Sequence, residues 1–234
     1  MESFNNILLV SATEVEIRPL LDKLNQPVYF NSFIKEYYLS QNTNLDIIVT
    51  GVGIPFTIYR TMRIFSRIKY DLVINVGIAG SFNDNYAVGS IVNVVSDQFA
   101  DLGIMEVDGF HSIFDKNLAD FNEKPFTDGK LINSNNNKYP LIDKLPKVNG
   151  ITVNTAHAIS GCNELYTQKF NADIETMEGA AVFYVSMLEK TPFLGIRAIS
   201  NKVDIRDKAL WNMPLAIKNL NEFVYDLLKE LTSV

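Results

Sequence analysis

Cysteine, histidine and tryptophan are nearly missing from this chain: 234 residues include one Cys, two His and one Trp. A lone Cys162 excludes any intrachain disulfide and suits a reducing cytoplasm. His111 and His157 form no Cys/His cluster with metal spacing, so no metal centre is expected. Positive charge is also scarce. With 21 Lys and Arg against 27 Asp and Glu, the net charge of −6 provides no field to hold nucleic acid or an anionic membrane. No apolar run approaches the roughly 20 residues that span a bilayer. The polar start MESFNN, followed by the short run ILLV, lacks the h-region of a secretory leader. A soluble, cytoplasmic protein is expected. No G-x-x-x-x-G-K-[ST] phosphate loop and no G-x-S-x-G elbow occur, and GVGIPF (51–56) lacks the third glycine of a dinucleotide fingerprint. No cofactor is expected.

What is present is an alternation of short apolar runs with helical spacing. ILLVSA (7–12) reads as a buried strand, and EVEIRPLLDKL (14–24) as a helix with Ile17, Leu20, Leu21 and Leu24 on one side. Further strands are expected in VYFNSFIKEYYLS, NLDIIVT, DLVINVG (71–77), SIVNVVSDQFAD (90–101), GITVNTA (150–156), ADIETM (172–177) and PFLGIRAIS (192–200). Helical spacing marks PFTIYRTMRIFSRI, NELYTQKF, GAAVFYVSMLEK and PLAIKNLNEFVYDLLKEL. This order predicts an α/β fold: one domain over 1–234, with a mixed, mostly parallel central sheet flanked by helices on both faces. Residues 105–149, with the NSNNNK tract, read as an irregular insertion. In such sheets ligands bind beyond the carboxyl ends of strands. That places interest on Ser11–Glu16, Thr50–Gly53, Gly77–Ser81, Asn154–Ile159 and Ser200–Asp204.

Two acids stand out, one at the first of these strand ends and one in IETMEGAAVFYV. Glu16 lies three residues after Thr13, so it closes a capping box or serves as a carboxylate that orients a water. Glu178 sits among Met177, Gly179, Ala180 and Ala181, the least polar surroundings of any acid in the chain. A charge there needs a partner. It either stabilises a helix N-terminus or accepts hydrogen bonds from ligand hydroxyls. The small residues of GIAGS (77–81) let backbone groups approach a flat ligand. His157 is a structural residue of a strand end or a ligand contact.

Set in order, SATEVEI, TGVG, INVGIAGS, VGSIVNVVSDQFAD, ETMEGAA and RAIS resemble the successive motifs of the purine nucleoside phosphorylase and nucleosidase superfamily along nearly the whole chain. Within it, VGIAGSFN, FADLG, PFTDG, GITVNT, RAISN and WNMPLAIKNLN are similar to the futalosine hydrolases. The resemblance implies a nucleoside phosphorylase-like fold and release of a purine base from a small nucleoside. It implies that Glu16 activates the attacking water. Glu178 would bind the ribose hydroxyls with Met177 beneath the sugar, and Arg197 would join the ribose and water network. Ile78, Ala79 and Gly80, with Val153 to Ile159, would line the base, and the segment around Trp211 would cover the pocket. It also implies a homo-oligomer, a dimer being favoured, with Phe99, Phe110, Phe114 and Phe126 expected at the subunit interface.

One position departs from the adenine-cleaving nucleosidases, which carry Asp where this chain has Asn201. An Asn amide donates to the O6 and N7 acceptors of a 6-oxopurine without supplying a proton. Futalosine carries hypoxanthine, so the expected reaction is its hydrolysis to dehypoxanthinyl futalosine, in the futalosine route to menaquinone. The alternatives are a methylthioadenosine/S-adenosylhomocysteine nucleosidase and a non-catalytic nucleoside-binding domain. Phosphorolysis is disfavoured, because Arg18 and Arg60 are too few for a phosphate pocket beside Glu16.

Overall fold

The computed structural model describes residues 4–31, 33–134, 139–156, 162–203 and 211–232, with 162–165 as helix backbone only. Its elements, in chain order, begin with β1 (Asn6–Ser11), α1 (Glu14–Lys23), β2 (Tyr29–Phe30), β3 (Ile34–Tyr38), β4 (Asn44–Val49) and α2 (Ile54–Phe65). Then come β5 (Leu72–Ser81), β6 (Ile91–Asp97), β7 (Gly103–Glu106), β8 (Gly109–Ser112), β9 (Leu131–Ile132) and α3 (Pro140–Asp143). The chain continues through β10 (Lys147–Thr152), α4 (Cys162–Phe170), β11 (Ile174–Thr176), α5 (Gly179–Leu188), β12 (Phe193–Lys202) and α6 (Met213–Thr232).

Among the described residues the main sheet runs β11-β10-β6-β12-β5-β1-β4-β3-β2, with β9 beside β6. β4, β1, β5 and β12 are mutually parallel, which is why β1 and β5 are apolar without alternation and buried on both faces. β6, β10 and β11 form a second parallel set that meets β12 antiparallel. The sheet then curls until β11 closes onto β5, pairing Ile174 with Ser81 and Glu175 with Gly80. That closure carries the residues after β11 to the carboxyl end of β5.

Helices cover both faces. α1 and α6 pack on one side with β1, β5 and β12, sharing Ile17, Leu20, Leu220 and Val224 as core. On the other side α2 and α5 pack against Val73, Val94 and Ile199. α1 carries Pro19, which donates no backbone hydrogen bond. The buried Asn221 of α6 braces this helix. Its side-chain oxygen accepts from Leu20 N–H at 2.9 Å and its amide donates to the Glu16 carbonyl at 2.7 Å. An uninterrupted helix would pair those two groups with each other.

The insertion is more ordered than its composition suggests: β7 and β8 form a separate hairpin, and β9 joins the main sheet. Its rings turn inward. Phe126 packs on Phe114 (centroids 5.1 Å apart) and on Phe99 at 6.4 Å, while Phe110 meets Phe170 at 6.4 Å. Phe114 is buried in this packing, while Phe99, Phe110 and Phe126 stay half-buried; Met105, Val107, Leu118, Phe121 and Ile132 are exposed apolar side chains of the insertion.

Candidate active site

A cavity of about 430 Å³ opens at the carboxyl ends of β1, β5, β11 and β12. Glu16, Ile78, Ala79, Gly80, Met177, Glu178, Asn201 and Trp211 line it, as the sequence led us to expect. Ile159 and His157 lie outside the described residues. Val153 is a correction. Its side chain is fully buried in a cluster with Ile151, Tyr166 and Phe170, and its N–H is committed to the Thr176 carbonyl at 3.0 Å. The same stretch contributes Ala156 to the wall instead. Glu175, Thr176 and Met213 also line the cavity and were not singled out from the sequence, and so do Thr13 and Ser200, which were read only as a capping residue and a strand end. All five lie within three residues of a predicted site residue, so nearness in sequence was the available signal.

Glu16 has the local role read for it, and its carboxylate also lines the cavity. The capping box with Thr13 is present, and Glu16 is almost fully buried. Its Oε2 accepts from the Thr13 backbone N–H at 2.9 Å and the Thr13 hydroxyl at 2.8 Å, and Oε1 accepts from Ile78 N–H at 3.1 Å. These donors hold the carboxylate without a cation. Gly77 makes room for it: a Cβ on that residue would stand 2.9 Å from Glu16 Oε1.

Glu178 is the N-cap residue of α5, yet its side chain makes no capping hydrogen bond. Its Oε1 instead accepts from Gly53 N–H, 2.9 Å away. Gly53 has φ of +100°, a conformation that favours glycine, and this turn aims its N–H at the acid. Burial pushes the Glu178 carboxyl above the usual carboxylate range. The Gly53 N–H, the Arg197 charge and the Met177 N–H oppose that rise, and the Glu16 charge adds to it.

Arg197 stands behind the cavity rather than in it. It is 3% exposed, and its guanidinium donates to the Asn75 carbonyl at 3.0 Å, to the Ile196 carbonyl at 2.9 Å and to the Asn75 side-chain oxygen. Burial lowers its pKa, while Glu178, Asp97 and Glu16 raise it, so this cation balances a group of acids.

Asn201 is placed by an irregularity in β12. Ile199 pairs with Ala79 and Asn201 with Gly80, so Ser200 is an extra residue, a β-bulge that re-aims the side chains after it. The Ser200 hydroxyl lies 3.1 Å from the Ala79 carbonyl and 2.7 Å from Asn201 Oδ1. Asn201 Nδ2 donates to the Lys202 carbonyl at 2.9 Å, which leaves its second N–H for the cavity. An ionised Asp would set a carboxylate oxygen against that carbonyl. Asn212 N–H donates to the Ser200 carbonyl at 3.0 Å and ties the Trp211 segment to the bulge.

Among the described residues, the one group spaced for a metal is Glu106, Asp108 and His111 on the exposed β7–β8 hairpin. It takes no part in lining the cavity.

This architecture and its order of elements correspond to a known class. The chain belongs to the phosphorylase superfamily, whose family model matches residues 6–229. It is 30% identical over 171 residues to a futalosine hydrolase of Streptomyces coelicolor, covering 70% of this chain and 68% of that one. It is 26% identical over 241 residues to a 5'-methylthioadenosine/S-adenosylhomocysteine nucleosidase of Maridesulfovibrio salexigens, covering 95% and 98%. The crystal structure of such a nucleosidase from Colwellia psychrerythraea, in complex with adenine, shares the fold with a TM-score of 0.80 at 19% identity over 98% of this chain and 96% of that one.

Proposed function

We propose that this protein hydrolyses the N-ribosidic bond of a 6-oxopurine nucleoside, releasing hypoxanthine from futalosine in the futalosine route to menaquinone. The observation that supports this best is a cavity that holds Glu16 and Glu178 and, among its described lining residues, no cationic side chain. A phosphorylase needs cations for its second substrate. Arg18 is paired with Glu14, and Arg60 donates to the Val49 carbonyl at 2.5 Å with its guanidinium over the Phe33 ring. Neither faces the cavity, and Arg197 is consumed in the core. Water is therefore the nucleophile.

In the reaction the bond from the anomeric carbon to the purine nitrogen breaks, and its electron pair leaves with the base. The sugar becomes oxocarbenium-like, as in glycoside hydrolysis. Glu178 holds the ribose hydroxyls and faces the developing positive charge. Glu16 takes a proton from water as the water oxygen bonds to the anomeric carbon. The remaining Asn201 N–H stabilises negative charge on the departing hypoxanthine, as a donor in an oxyanion hole does.

A second reading has its own support. Val15, Val52, Val203 and Met213 give the cavity an apolar wall, which suits the thioether tail of methylthioadenosine. Chromatographic assay of futalosine, inosine, adenosine and methylthioadenosine side by side, with and without phosphate, separates the two. Fastest release of hypoxanthine from futalosine without phosphate is the expected outcome; fastest release of adenine, or a strict phosphate requirement, overturns it. Asn201→Asp is expected to slow hypoxanthine release by about 10²–10³-fold, the usual effect of losing one such donor. Unchanged release by that variant would reduce Asn201 to a turn residue.

A further inference from the structure

α5 is capped by the wrong residues. An acid at an N-cap ordinarily accepts from its own helix's first N–H groups. Here Gly179 N–H donates to Thr176 Oγ at 3.2 Å, and Ala180 N–H donates to Thr152 Oγ at 2.7 Å. Both hydroxyls are buried, and they lie 3.1 Å apart. Each hydroxyl has one proton, so their directions are determined. Thr152 donates to Asp97 Oδ1 at 2.9 Å. Thr176 must then donate to Thr152, and both threonine oxygens are left as acceptors for the helix.

Asp97 anchors this chain. It is fully buried, and its Oδ1 also accepts from Gln98 N–H at 2.8 Å. Its Oδ2 has no hydrogen-bond partner and is walled by glycine. A Cβ on Gly179 would lie 2.2 Å from it and one on Gly150 3.0 Å. Burial raises the Asp97 carboxyl to about 7, against the Thr152 hydroxyl, the Arg197 charge and the Gln98 N–H. A proton taken up settles on the unpartnered Oδ2, so Oδ1 accepts from Thr152 in either state.

We propose that Thr152 and Thr176, anchored on Asp97, are positioning residues that take over the capping of α5 and so hold the Glu178 carboxylate at Gly53 and in the cavity. With the helix N–H groups satisfied from β10 and β11, the N-cap acid is released for ligand. Deleting the hydroxyl of either threonine restores the competition: an orphan helix N–H draws Glu178 back onto its own helix. The catalytic part of this rests on the nucleosidase reading above; the structural part does not.

The test is Thr152→Val, nearly isosteric, with Thr152→Ser as the conservative variant. Thr152→Val is expected to lower kcat/KM by about 10–100-fold, through both kcat and KM, as a small misplacement of a catalytic group does. Thr152→Ser keeps the hydroxyl and should recover most of the loss. A crystal structure of Thr152→Val should show Glu178 turned from Gly53 N–H to the Ala180 N–H. If the valine variant does not fold, Thr176→Val gives the same kinetic readout, and its crystal structure should show Glu178 turned to the Gly179 N–H, the donor that Thr176 caps. Parental kcat/KM in a folded valine variant, or Glu178 still on Gly53 in its crystal structure, overturns the proposal. If the parent chain releases base from no nucleoside, the nucleosidase reading falls, and the place of Glu178 in the variant crystal decides the positioning role alone.

Discussion

Glu16→Gln should still bind the nucleoside and lose about 10²–10⁴-fold in kcat, the range expected when a general base is removed. Charge is the main reason. A glutamine cannot take the proton of the attacking water, so the oxygen must attack as neutral water. Geometry adds a smaller part. Both carboxylate oxygens of Glu16 accept hydrogen bonds, from Thr13 at one side and Ile78 N–H at the other. The glutamine NH₂ must face one of these donors, which costs about 1–3 kcal/mol of stability at that buried spot. Thermal melting and isothermal titration with the substrate separate the two effects. A folded variant that binds substrate but turns over slowly is the expected result. Near-parental kcat would remove Glu16 as the base.

The second large effect is expected at Glu178→Gln, which should cut kcat/KM by about 10²–10³-fold. That corresponds to about 2.7–4 kcal/mol of transition-state stabilisation. KM should rise as well, because ribose hydroxyls lose a charged acceptor. The pH profile carries the more specific signature. Burial holds the folded Glu178 carboxyl above the ordinary carboxylate range. Its ionised form is therefore lost at a higher pH than for an exposed Glu, and kcat/KM should fall on the acid side as pH drops through that raised value. In Glu178→Gln this limb should disappear. Kinetics unchanged in both rate and pH profile would return Glu178 to helix packing.

How much of this site was legible from the sequence depends on the range of the interactions that build it. β1 and β5 are near-continuous apolar runs because parallel strands are buried on both faces, and that pattern is local. The capping box of Thr13 and Glu16 is three residues long and could be read directly. Asn201, as a departure from Asp at a motif position, was legible only against the resemblance. Pro19 was not read from the sequence as a weak point of α1, and nothing nearby shows that Asn221 braces it.

The sequence by itself determined the order of strands and helices outside the stretch from β7 to α3, the five strand ends of interest, and the two acids, Glu16 on the first of those ends and Glu178 after β11. It did so because periodicity, capping and turn chemistry act over a few residues. Only the tertiary structure decided which of those side chains face the cavity. The bulge at Ser200 turns Asn201, the burial of Val153 takes it off the wall, and the core bonds to Asn75 hold Arg197 behind it. The same holds for Glu178, whose freedom to face ligand depends on hydroxyls from Thr152 and Thr176 on two neighbouring strands. Each outcome depends on pairing register or on a hydrogen bond between distant segments. A one-residue change in either sends a side chain to the opposite face without altering the local pattern of the sequence.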